Sequence, residues 1–202
     1  PELSLSFSTF GLLIQFRLNT RLLFLFLAAA LTTSGADWLV RTHPSFTPGM
    51  PTFQHWVIPM LTAYAGGAFV TSLPQGTIMW IGLAAIVLLL LSVFLTEFIV
   101  VSPKDERFGT ASTALFALAY LLLALSFFVI RSSGIRILYS FPVVFIITTA
   151  VIWRLLQLRR PSGNLVAYSA GIGLLIAETQ AGLHYLPVSP LKEALILFIL
   201  AY

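Results

Sequence analysis

The sequence predicts an all-α polytopic membrane protein: a single transmembrane helix bundle of about seven spans, residues 21–202, preceded by a short interfacial segment, residues 1–20. Three observations carry this. Of the 202 residues, 58% are hydrophobic and only 9% charged, whereas soluble domains carry about 25% charge and need it for their surface. The apolar residues fall in discrete runs, several about twenty residues long, which is the length that crosses a ~30 Å hydrocarbon core. Between the runs stand Pro, Gly and charged residues, which break helices and anchor their ends at the interface. The formal charge of +4 comes without a basic cluster, so no nucleic-acid partner is expected. Cysteine is absent, which excludes disulfides, thiolate metal sites and Cys nucleophiles.

At the start, Phe10, Leu13, Ile14 and Arg17 fall at helical spacing in a run too short to span, so an interfacial helix or strap is expected. Pro1 is not an initiator residue, and a segment before it is expected. Arg21 to Val40 forms the first span, with Arg21, Trp38 and Arg41 as anchors. Pro44, Pro48, Gly49 and Pro51 then impose an ordered, extended loop. The second span, His55 to about Ser72, contains Pro59, Gly66 and Gly67, which point to a kink or a close helix contact. LPQG turns the chain into the third span, Thr77 to Val101, which holds Glu97 near its end. SPKDERFG is a solvated loop before the fourth span, Thr110 to Ile130. The fifth runs from Ile137 to about Trp153, weakened at Pro142 and closed by Arg154, Arg159 and Arg160. The sixth is Asn164 to Pro187. A seventh starts at Ser189 and would reach only about 20 Å by Tyr202, so the natural chain is expected to continue or the helix to stop halfway.

Lys and Arg divide almost evenly between the two membrane faces, with Arg17, Arg21, Arg131, Arg136 and Lys192 on one and Arg41, Lys104, Arg107, Arg154, Arg159 and Arg160 on the other. The usual dominance of the first helix favours the N-terminus in the cytoplasm. A bacterial cytoplasmic membrane is the expected location.

The sixth span carries the residues of greatest interest. Ser169, Gly173, Ala177 and Ala181 recur every fourth residue, a helix-packing seam that lets a neighbouring backbone approach. Glu178 and Gln180 sit deep in the same apolar run. A carboxylate in lipid costs several kcal/mol unless protonated, paired or wetted, so Glu178 is expected to face protein or a cavity. It reads either as a packing and partner contact or as the proton or cation carrier of a small transporter.

Topology also gathers Asp37, Arg41, His43, His55, Glu97 and Arg154 near one face. Asp37 and Arg41 are four apart and read as an intrahelical ion pair. The sharper alternative is a metal site using Asp37, His55 and Glu97, although no HxxxH or HExxH spacing supports it. His43 reads as a loop residue, His55 with Trp56 as an interfacial belt pair, and Lys192 with Glu193 as interface charges. No paired-aspartate, GxSxG or Walker signature is present, so an enzyme is not the first expectation.

The passages QHWVIPML, TEFIVVSPKDERF and LPVSPLKEALILFILAY resemble an uncharacterised bacterial family of small polytopic membrane proteins without assigned activity. The resemblance implies one bundle and no site residue. The expected function is therefore a non-enzymatic accessory or scaffold subunit that packs against other transmembrane subunits or itself. Bound lipid is expected and no cofactor. The alternatives are a transporter using Glu178 and a membrane enzyme at the Asp37, His55 and Glu97 face.

Overall fold

The computed structural model describes residues 3–9, 12–18, 20–159 and 164–201. Two strands, β1 (Leu3–Thr9) and β2 (Leu12–Leu18), precede seven helices: α1 (Thr20–Arg41), α2 (Val57–Val70), α3 (Thr77–Val100), α4 (Phe108–Ser132), α5 (Ile137–Arg159), α6 (Leu165–His184) and α7 (Pro190–Ala201). Apart from the hairpin, the described chain is an all-α bundle. A short 3-10 turn, Phe53–His55, leads into α2.

The N-terminal segment, expected as an interfacial helix or strap, is a two-stranded hairpin and not a helix. β1 and β2 pair antiparallel, from Leu3 opposite Leu18 to Thr9 opposite Leu12. Its sequence Leu-Ser-Leu-Ser-Phe-Ser alternates strictly, and a period of two belongs to a strand, not a helix. Arg160 and Tyr202 lie outside the described residues.

Four helices, α1, α3, α4 and α5, are long and apolar enough to cross a membrane. The shorter ones are α2, with 14 residues or about 21 Å, and α7, with 12 residues or about 18 Å. α4 is central and packs on α2, α3, α5 and α7. Its Leu115, Ala119, Leu122 and Leu123 are sealed against Val144 and Val151 of α5, Ile176 of α6 and Leu197 of α7. The outside is apolar as well. On α3, Ile81, Leu88 and Leu95, seven apart, are each more than 60% exposed, so this stripe has lipid as its natural cover. α3 enters the core only near its C-terminal end, at Val93, Thr96, Glu97 and Val100.

Pro59 is the third residue of α2 and does not break it, because in the first turn no backbone N–H is needed. The two α2 glycines instead permit close approach: a Cβ on Gly66 would strike Ile86 of α3, and one on Gly67 would strike Leu25 of α1. Pro142 sits inside α5 without ending it. α5 continues to Arg159, so Arg154 is an interior residue and not the end marker that its charge suggested.

Candidate functional site at the His55–Glu97–Arg154 end

Three polar side chains from distant parts of the chain meet at the end of the bundle where α1, α3 and α5 finish and α2 begins. His55, Glu97 and Arg154 are each no more than 2% exposed. His55 Nδ1 lies 2.6 Å from Glu97 Oε2. Arg154 donates from Nε to Glu97 Oε1 at 3.3 Å and from Nη2 to Glu97 Oε2 at 2.5 Å. A buried carboxylate survives only when paired and fully hydrogen-bonded, and this two-point grip with a third donor supplies that. Arg154 Nη2 is also 3.0 Å from His55 Nδ1. Both nitrogens face the same carboxylate oxygen, so Nδ1 carries its proton toward Glu97 and the two donors share one acceptor. The other ring nitrogen, Nε2, has Gln54 Nε2 3.4 Å away.

The elements around this triad are pinned by their own contacts. Asp37 on α1 holds Arg41 through Nε at 2.6 Å and accepts from Thr52 Oγ1 at 2.6 Å and Trp56 Nε1 at 3.2 Å. Thr52 and Trp56 bracket the Phe53–His55 turn, so Asp37 fixes both ends of the segment that presents His55. Phe53 stacks on Trp153, with centroids 5.3 Å apart and planes 14° from parallel, which ties the same turn to α5 beside Arg154. His43 is a loop residue, accepting from Ser45 N at 3.0 Å and lying edge-on to Phe98. The Asp37–Arg41 pair forms as its spacing implies, but Arg41 is 58% exposed, and such pairs contribute about 0–1 kcal/mol.

The Asp37, His55 and Glu97 metal set does not assemble. Asp37 belongs to the Arg41, Thr52 and Trp56 cluster, while Glu97 spends both oxygens on Arg154 and His55. Among the described residues no three His, Asp or Glu gather to hold a metal ion.

A cleft of about 490 Å³ opens beside the triad. Gln54, His55, Arg154 and Gln157 give it a polar floor, and Val100, Val101, Phe108, Leu158 and Leu165 give it apolar walls. Carboxylate binding on the Nε and Nη2 edge of a planar guanidinium leaves Nη1 uncommitted; among the described residues Nη1 has no hydrogen-bond partner. Gln157 was not singled out from the sequence. Its spacing of three from Arg154, which puts both on one face of α5, was the available signal.

The sixth helix behaves differently from expectation. Ser169, Gly173 and Ala177 are buried and Ala181 is partly so, but the neighbour they admit is α5 of the same chain: a Cβ on Gly173 would meet Thr149 Oγ1 and, at 3.1 Å, the carbonyl of Phe145. Gln180, seven residues from Gly173, lies on the same stripe, is 2% exposed and donates to Ser140 Oγ at 3.3 Å. Glu178 is exposed, which corrects the expectation that it faces protein. It follows Ala177 by one residue, about 100° around the helix, so burying Ala177 against α5 turns Glu178 outward.

Glu193 is the converse case. It is 1% exposed, with Arg131 Nε 2.6 Å from its Oε2, an ion pair without hydrogen-bond alignment. Arg131 Nη1 is 3.1 Å from His184 Nδ1. These contacts join α4, α6 and α7 at the face opposite the triad. Lys192 beside it is exposed.

A protein-family model described only as a protein of unknown function matches residues 1–202. Neither a curated protein nor a solved structure matches the chain.

Proposed function

Starting from a chain that belongs to DUF5656, a family of unknown function, we propose a non-enzymatic integral membrane protein that holds an anionic membrane lipid by its head group in the cleft beside His55 and Arg154. The observation that carries this reading is the guanidinium at the floor of a partly apolar cleft, with its Nη1 uncommitted while Glu97 neutralises its other edge. A phosphate oxygen is the natural acceptor for that nitrogen. The apolar walls suit the glycerol and acyl part of a lipid, and the volume is within the range of ordinary ligand sites. In the cytoplasmic membrane with the N-terminus inside, this end of the bundle faces the outer leaflet.

The other expectations lose their support in different ways. With α5 filling the seam of α6, the small-residue stripe no longer argues for a partner subunit. With Glu178 exposed, a carrier role for it lacks the burial that would tune it.

Native mass spectrometry of protein extracted in mild detergent tests the reading, comparing wild type with Leu165→Trp, which narrows the cleft without touching the triad. Wild type should retain about one phospholipid per chain, and the variant at least about tenfold less at unchanged melting temperature. Equal retention by the two proteins would reject the cleft as the site.

A further inference from the structure

We infer that the head group taken by this cleft is a polyol phosphate, a phosphate that carries free hydroxyls, and not an ammonium-bearing one; this rests on the lipid-binding reading above. Three atoms of the residues that line the cleft ask for complementary chemistry. Arg154 Nη1 asks for an anion. Gln157 Oε1 is buried and, among the described residues, has no hydrogen-bond partner, and a buried acceptor without a donor is normally completed by water or ligand. His55 Nε2 has only Gln54 Nε2 beside it, at a long 3.4 Å, while Nδ1 is committed to Glu97 at 2.6 Å.

A hydroxyl meets both remaining needs. It pairs with His55 Nε2 or donates to Gln157 Oε1, and because it also accepts, it satisfies Gln157 in either orientation of the amide. An ammonium head group donates but cannot accept, so it fails Gln157 in one orientation of the amide, and its charge finds no carboxylate among the described residues that line the cleft. The nearest acid of the site, Glu97, is spent on Arg154 and His55. A bare phosphate monoester would satisfy Arg154 but leave Gln157 Oε1 unmet.

The experiment offers three lipids of identical acyl chains, phosphatidylglycerol, phosphatidic acid and phosphatidylethanolamine, to delipidated protein in nanodiscs, and reads retained lipid by native mass spectrometry. Phosphatidylglycerol should exceed both others by about tenfold. Charge alone would rank phosphatidic acid first, so that order separates hydroxyl recognition from simple attraction. Gln157→Leu should bring phosphatidylglycerol down to the level of phosphatidic acid. Equal retention of the two anionic lipids above phosphatidylethanolamine would overturn the polyol inference and leave anion binding standing. Retention of all three at the Leu165→Trp background would overturn both. Soluble glycerol 3-phosphate at millimolar concentration should fail to displace phosphatidylglycerol; displacement would assign the site to the free phosphate and overturn the lipid source.

Discussion

Replacing Arg154 by Met keeps most of the side-chain volume and removes the charge that holds Glu97 in the interior. In the intact protein Glu97 Oε1 accepts from Arg154 Nε and Oε2 from Arg154 Nη2 and His55. The substitution strips Oε1 of its donor and leaves Oε2 with His55 alone, at a residue 1% exposed. Two charge-assisted hydrogen bonds at about 1.5–3 kcal/mol each give about 3–6 kcal/mol, consistent with the ~3–5 kcal/mol for stranding one partner of a buried pair. Adding Glu97→Gln removes the stranded charge, so the double variant should be more stable than Arg154→Met alone, with a coupling of at least about 2 kcal/mol. The assay is reversible unfolding in mixed micelles, followed by far-UV circular dichroism and by Trp fluorescence. A loss below about 1 kcal/mol for Arg154→Met, or additivity within about 0.5 kcal/mol, would refute the buried pairing.

The α6 seam can be probed by two glycines of one helix. Gly173→Ala should cost about 1–3 kcal/mol because backbone of α5 stands in the way, while Gly171→Ala, with nothing within 4 Å, should gain up to about 1 kcal/mol from helix propensity; equal effects in the same unfolding assay would mean that the seam is not in contact. Glu178→Leu should change stability by no more than about 0.5 kcal/mol, as befits an exposed position, and a loss above about 2 kcal/mol would show that Glu178 is buried. At the opposite face, Arg131→Met should loosen α7 by stranding Glu193. A cysteine placed at Ala194, 3% exposed in a chain with no native cysteine, should then react with maleimide much faster than in the Arg131 protein, and unchanged protection would contradict a role for the Arg131–Glu193 pair in holding α7.

The long spans were legible because continuous apolar runs define them locally: α3 starts at Thr77 and α5 at Ile137, where the sequence puts them. The Asp37–Arg41 pair was legible for the same reason, being four residues apart on one helix. Facing was not. Whether Ala177 or Glu178 is buried depends on which neighbour approaches α6, and that neighbour is chosen by α5, whose Phe145 and Thr149 backbone needs a glycine opposite. The triad joins residues 42 and 57 positions apart. Topology could bring them to one face, but only packing shows that Arg154 lies inside a helix and reaches Glu97. Glu193 was misread because a charge in a first helical turn usually meets water; here Arg131 comes to it from α4. The hairpin was read as a helix or strap because helical spacing at Phe10, Leu13 and Arg17 was weighed above the alternation of residues 3–8.

The structure of the protein in lipid nanodiscs containing phosphatidylglycerol tests the central claim most directly. We expect head-group density in the cleft, with a phosphate oxygen about 3 Å from Arg154 Nη1, and Glu97 still gripped by Arg154 and His55. A cleft holding only water, or a Glu97 separated from Arg154, would contradict it.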